Sequence, residues 1–309
     1  MVTSFWFRAG LSVSVLAILV TRIDKDEAAL ALSSVDPWYF LAAVAVDVAA
    51  RAIMIGRWAI LLRASGESVS SWSAARIFII SSFVGTALPA GGADVTRVYA
   101  LSRHGVGGRA ATASVLVDRL LGLVALLVLG TASLGFGMPE ANLPLARRVA
   151  YLCLAAAVVL SGALWADVLA RRLLPESLRR APPGRWFLLT ANEMAGYRSH
   201  RGVLAGVFGL SLVVQWLRIT EVFLLGAGLG IDIGFGYYLA FMPIGLVVLM
   251  LPVSIAGVGL PQGVLIWLLR PAGVPDPQSL ALSTLVVVLG VLGTAPGFLL
   301  YLRARGRRA

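Results

Sequence analysis

The chain has 309 residues, 59% of them hydrophobic and only 13% charged, with a mean hydropathy of +0.89. This excludes an ordinary soluble domain and implies an integral membrane protein. The net charge of +11 would point to nucleic acid in a soluble protein; here it marks cytoplasmic loops and anionic lipid headgroups. The single Cys153 excludes an intrachain disulfide and any multi-cysteine metal site, and no metal or cofactor is expected.

In chain order, full spans are predicted over 5–23, 38–62, 109–135, 148–170, 202–229 and 279–302. The first begins near Phe5 and reads as a retained helix, because no small-residue cleavage site follows it. Two further apolar stretches, 72–89 and 236–269, are interrupted. One ends at Pro89, Gly91 and Gly92; the other holds Pro243, Pro252, Gly257, Gly259 and Pro261. Proline removes a donor and clashes with the preceding turn, so neither reads as a continuous helix. Broken backbone at membrane depth is tolerated where it is buried in protein or lines a polar cavity. Both are therefore expected to be re-entrant hairpins, over about 72–105 and 236–275.

Arginine placement supports this topology. With the N-terminus inside, Arg63, Arg76, Arg97, Arg103 and Arg109, the basic loop 171–201 and the tail from Arg303 all fall inside. The exceptions are Arg147, Arg148 and Arg270. The expected location is a bacterial-type plasma (inner) membrane with both termini cytoplasmic. Basic loop 171–201 is set by orientation, and its arginines also suit an anionic-lipid surface. LPAGGADVTRVYALSRHGVGGRAATASVL (88–116) also resembles the segment 251–285. The two hairpins would enter from opposite faces, the mark of an inverted-repeat transporter with its site near the midplane.

The charged residues carry the functional reading. Asp94 and Arg97, three apart, are either a headgroup site or a structural ion pair pinning the hairpin. Asp118 lies about 13 Å along its helix from Arg109, near the midplane, where ionisable groups are functional candidates. Asp118 is expected to meet an arginine of the first hairpin while Arg119 faces a cavity; the alternative is a helix–helix clamp. Asp47 and Arg51, and Gln215, Arg218 and Glu221, form self-paired polar stripes that mark inward faces. The acidic run DKDE at 24–27 is read as an outer loop; its other reading is a metal site for a glycosyltransferase. No Ser-His-Asp constellation, phosphate-binding glycine loop or nucleotide fingerprint occurs.

Four segments in order carry a resemblance: Arg57-Trp58 with Leu61-Leu62, SSFVGTALPAGGADVTRVYAL, SVLVDRLLGL and LPVSIAGVG. Together they resemble the lysylphosphatidylglycerol synthase transmembrane-region, or flippase-like, family over about residues 38–300. The resemblance implies a polytopic domain that flips or binds lipids, without the soluble aminoacyl-transferase domain of two-domain members. The chain departs from the family pattern at Pro261-Gln262, where members usually carry Arg-Glu.

The sequence thus predicts one all-α polytopic membrane domain over 1–309, with six full spans and two re-entrant hairpins forming an inverted repeat. The expected function is non-enzymatic translocation or binding of a phospholipid or polyprenyl-linked lipid. Its site would comprise Pro89, Gly91, Gly92, Asp94, Arg97, Asp118, Arg119, Pro252, Ser254, Gly257, Gly259 and Gln262. The alternatives are a polyprenyl-phosphate-sugar glycosyltransferase and a non-transporting partner of a separately encoded lipid-modifying enzyme.

Overall fold

The structure, a computed structural model, describes residues 32–86, 88, 91–133, 143–250 and 260–306. Among these residues every regular element is helical and no strand occurs. Helix α1 (Pro37–Ala64) opens with Asp36, whose carboxylate accepts from Trp38 N at 2.8 Å, and with Pro37 in its first turn. Helices α2 (Ser71–Thr86), α3 (Gly92–Ser102) and α4 (Gly108–Ala132) follow, then α5 (Leu143–Ser161). The region read as basic loop 171–201 is itself helical: α6 (Ala166–Leu173) continues the line of α5 through a short 3-10 turn at Gly162–Trp165, and α7 (Glu176–Arg180) and α8 (Pro182–Gly196) form a cap before the next long helix. Last come α9 (Arg201–Gly228), α10 (Phe235–Met250), α11 (Leu260–Leu269) and α12 (Asp276–Gly306).

Five segments are long and apolar enough to cross a membrane: Pro37–Ala64, Gly108–Ala132, Arg147–Leu173, Arg201–Gly228 and Asp276–Arg303. They coincide with five of the six expected spans; the sixth, 5–23, lies outside the described residues. Outward positions on them are bare and apolar, with Leu152 71% and Val159 75% exposed. An apolar surface of this kind is stable against acyl chains and not against water. The protein is a multi-pass membrane protein.

The two interrupted stretches each form a pair of short helices. At 1.5 Å per residue, α2 spans about 24 Å and α3 about 17 Å, both below the ~30 Å hydrocarbon core. Between them, Gly91 adopts φ +88°, a conformation that resists any Cβ. The pair then folds back tightly: a Cβ on Gly85 would lie 2.5 Å from Ala93 Cβ. α10 carries Pro243 internally and packs on α11. The intervening Pro252, Ser254, Gly257 and Gly259 lie outside the described residues, as does Pro89.

The central packing is the antiparallel pair α1–α9, closed at one end by Asp36 N donating to Gly228 O at 3.0 Å. α4 lies against both. α2 packs on α12 through small surfaces: a Cβ on Gly297 would stand 2.5 Å from Ile79 O and from Phe83 Cβ. We expect Gly297→Ala to cost about 1–3 kcal/mol by overpacking, read as a lower unfolding midpoint in detergent. Gly209→Ala, which has nothing within 4 Å, should leave the midpoint unchanged or raise it slightly. Equal effects at both positions would show that the α2–α12 approach is looser than described.

Candidate functional site

Asp118 sits ten residues into α4, about 15 Å from its start. It is 2% exposed, so its charge must be met inside the protein. Arg57 of α1 meets it: Nε donates to Asp118 Oδ1 at 2.8 Å, and Nη1 donates to Ser211 Oγ of α9 at 2.8 Å. Ser211 is itself fixed by donating to Val207 O at 2.7 Å. Gly122, one turn along α4, leaves room for the guanidinium: a Cβ there would lie 3.5 Å from Arg57 Nη1. Gln215 Nε2 donates to Gly122 O at 2.9 Å. One buried ionic junction therefore joins α1, α4 and α9.

The first helix pair brings the next charges to this junction. Asp94 lies in the first turn of α3, where the helix dipole favours a carboxylate. Arg119 engages it with a fork, Nε 2.9 Å from Oδ2 and Nη2 donating to Oδ1 at 3.0 Å. Arg97, one turn on, is 3% exposed. Its guanidinium carbon lies 4.2 Å from the Phe78 ring centre and 5.0 Å from that of Trp58, an aromatic clamp from α2 and α1. Arg97 Nη1 is 3.9 Å from Asp118 Oδ2 and 4.0 Å from Asp94 Oδ1, beyond hydrogen-bond length. Its Nε has no partner among the described residues. Arg97 is thus attracted to two carboxylates and hydrogen-bonded to neither.

A second group lies toward the other end of the α1–α9 pair. Arg51 Nε donates to Asp47 Oδ2 at 2.6 Å, and Arg51 Nη2 to Gly290 O of α12 at 3.2 Å. Gly293 receives this pair; a Cβ there would stand 2.1 Å from Asp47 Oδ2. Arg218 and Glu221 face the same neighbourhood from α9, within electrostatic range of Asp47 and Arg51. Here the sequence expectation is corrected. Arg218 and Glu221 do not self-pair: no ion pair within 4.0 Å joins them, Arg218 being exposed and Glu221 buried, although each is the strongest charge acting on the other.

The structure therefore brings Asp94, Arg97, Asp118 and Arg119 into one group, next to the break at Gly91 and Gly92. Asp94 pairs with Arg119 more closely than with Arg97, and Arg119 is engaged rather than facing a cavity alone. Gln262 is buried on α11. Arg57 and Ser211 were not among the predicted site residues. Arg57 was legible by the rule that singled out Asp118, being an arginine about 10 Å from the end of its helix. On the cap side, an open cavity of about 490 Å³ leads from Trp186 and Glu193 to Glu67 and the start of α4 at Gly108.

Breaking the Arg57–Asp118 pair from one side should be costly. We expect Asp118→Asn or Arg57→Met alone to lose about 3–5 kcal/mol, measured by denaturant unfolding in micelles. The double variant Arg57→Met/Asp118→Leu should lose much less than the two single losses combined. Additive losses would mean the pair is not the junction described.

The model of the family described as "Lysylphosphatidylglycerol synthase TM region" matches residues 5–297. No protein in a search of curated sequences matches the chain. The matched region takes in α1 to α12 almost entire, with the ionic junction and the short helices α2, α3, α10 and α11 inside it. The chain belongs to the lysylphosphatidylglycerol synthase transmembrane-region family, whose membrane domain it represents.

Proposed function

We propose that this protein moves or binds a phosphate-bearing amphipathic lipid, a phospholipid or a polyprenyl-linked lipid, without covalent chemistry. One observation carries the reading: Arg97, buried at a backbone break and held between aromatic rings, keeps donors that its neighbouring carboxylates do not use. A buried guanidinium with spare donors matches a phosphate, whose oxygens accept forked hydrogen bonds. The charge balance agrees. The two groups contain five arginines (51, 57, 97, 119 and 218) and four carboxylates (47, 94, 118 and 221), leaving one positive charge for an anionic headgroup. Charged side chains along α1, α4 and α9 would form a polar lane through the bilayer, with the acyl chains remaining in lipid.

In this reading the short pairs α2–α3 and α10–α11 are re-entrant hairpins, and the chain is an inverted repeat of α1–α4 and α9–α12. The packing supports it: α2 lies on α12 and α10 on α4, so each pair rests on the long helix that follows the other. The arginine-rich end of α6 and the cap α7–α8 would lie on the cytoplasmic side with both termini, against anionic headgroups. The acidic run at 24–27, on which the glycosyltransferase alternative rests, lies outside the described residues.

The test is reconstitution of the full chain in phosphatidylcholine vesicles carrying fluorescent phosphatidylglycerol. Wild type should equilibrate the probe between leaflets well above protein-free vesicles. Arg97→Ala should lower the rate at least about tenfold, the loss of one charge-assisted contact. Arg97→Lys should rescue little, because an ammonium cannot fork or stack as guanidinium does. A wild-type rate equal to that of empty vesicles, or an undiminished Arg97→Ala, would reject the reading.

A further inference from the structure

Ion pairing inside the membrane region is uneven, and the exceptions fall together. Of the four interior carboxylates, Asp47 pairs with Arg51, Asp94 with Arg119 and Asp118 with Arg57. Among the described residues, Glu221 has no ion pair within 4.0 Å although it is only 7% exposed. Of the five arginines, Arg218 alone likewise shows no ion pair within that distance among the described residues. The two are three apart on α9, so their side chains leave the same face one turn from each other.

Arg218 is exposed, and its position shows to what. One turn before it Val214 is 1% exposed, and one turn after it Glu221 and Val222 are 7% and 2% exposed. A residue bracketed on its own stripe by buried neighbours does not face acyl chains; it opens into a crevice between helices. The charges bearing on Glu221 are Arg218 of its own helix and Asp47 and Arg51 of α1. Those bearing on Arg218 add Arg119 of α4. From α12 the neighbourhood receives the Gly290 carbonyl, which Arg51 already occupies.

From this geometry we infer that Glu221 is a proton-binding site coupled to anion binding at Arg218, so that a proton and a lipid phosphate bind together. The inference rests on the proposed lipid function and adds its energy source. When Glu221 is ionised, Arg218 is its nearest available counter-charge and is drawn toward it. A proton on Glu221 removes that attraction and leaves the guanidinium to a phosphate in the crevice. The converse follows by linkage: a phosphate at Arg218 brings negative charge close to Glu221 and favours its protonated form. One proton taken up on the carboxylate and one negative headgroup taken up on the guanidinium leave the local charge unchanged, which a low-dielectric site requires. A proton gradient then drives the headgroup in the direction of proton flow.

The experiment uses the reconstituted full chain with two readouts. In the first, movement of fluorescent phosphatidylglycerol is followed as pH is varied. Wild type should speed up as pH falls, by up to about tenfold per pH unit, the limit for one coupled proton. Glu221→Gln should be fast and flat with pH, Glu221→Asp should keep a pH dependence, and Arg218→Gln should be slow throughout. In the second, infrared difference spectra should show a carboxylic C=O band that grows on acidification, is missing in Glu221→Gln, and shifts to higher pH when phosphatidylglycerol is added to the vesicles. Soluble glycerol phosphate added instead should produce no shift; an equal shift would assign the site to free phosphate rather than lipid. Lipid movement that ignores pH, or a titrating band that survives Glu221→Gln, overturns the inference while the lipid reading stands. A titrating, lipid-shifted band in a protein that moves no lipid overturns the transport reading while the proton site stands.

Discussion

The structure depends on how charge is held where water is scarce. An isolated carboxylate in hydrocarbon costs several kcal/mol, and a partner with hydrogen bonds recovers much of it. Asp118 therefore fixes more than its own position. Its partner Arg57 must arrive from α1, and Arg57 needs a further acceptor, which Ser211 supplies from α9. Three long helices are held in one register by a single guanidinium. Apolar packing alone would not do this, because in a membrane one leucine face suits lipid as well as another helix.

The broken pair α2–α3 has its reason in the same economy of charge. A continuous span at this place would carry Asp94 and Arg97 on a regular helix, with its backbone donors already used. The break at Gly91 starts a new helix within the bundle, whose first turn favours Asp94. It also sets Arg97 one turn further on, between Trp58 and Phe78. The rings attract the cation without accepting hydrogen bonds in its plane. Burial and availability are ordinarily opposed in a guanidinium, and stacking allows both.

Much of this was legible in the sequence. Apolar length alone found the five long helices, and proline with glycine found the first interruption, at Gly91; the residues of the second, 251–259, lie outside the described residues. Depth singled out Asp118 and spacing singled out Asp94 and Arg97, and the fold brings these together with Arg119. The pairing was not legible, because pairing is a property of helix–helix contacts. Spacing of three joined Asp94 to Arg97 and Arg218 to Glu221, whereas the fold joined Asp94 to Arg119 across helices and left Arg218 and Glu221 apart. Arg57 stands deep enough in its helix to be noticed, but its partners Asp118 and Ser211 come from α4 and α9 and no spacing within α1 reveals them. Helicity in the cap was hidden by short segments separated by Pro175 and Pro182, which read as loop.

The arrangement divides charges by commitment. Arg57 with Asp118, and Arg51 with Asp47, are locked by short hydrogen bonds and, in the second case, by a glycine that admits no side chain. Arg97, Arg218 and Glu221 are held by longer-range attraction and keep donors or acceptors in reserve. A site in which every charge were locked would be stable and inert, since an incoming phosphate would have to break a buried pair to enter. A site with every charge loose would not fold. Committed pairs positioning uncommitted ones is the arrangement that the proposed passage of an ionic headgroup requires. In this chain α1 supplies most of the committed partners, and α3 and α9 most of the uncommitted ones.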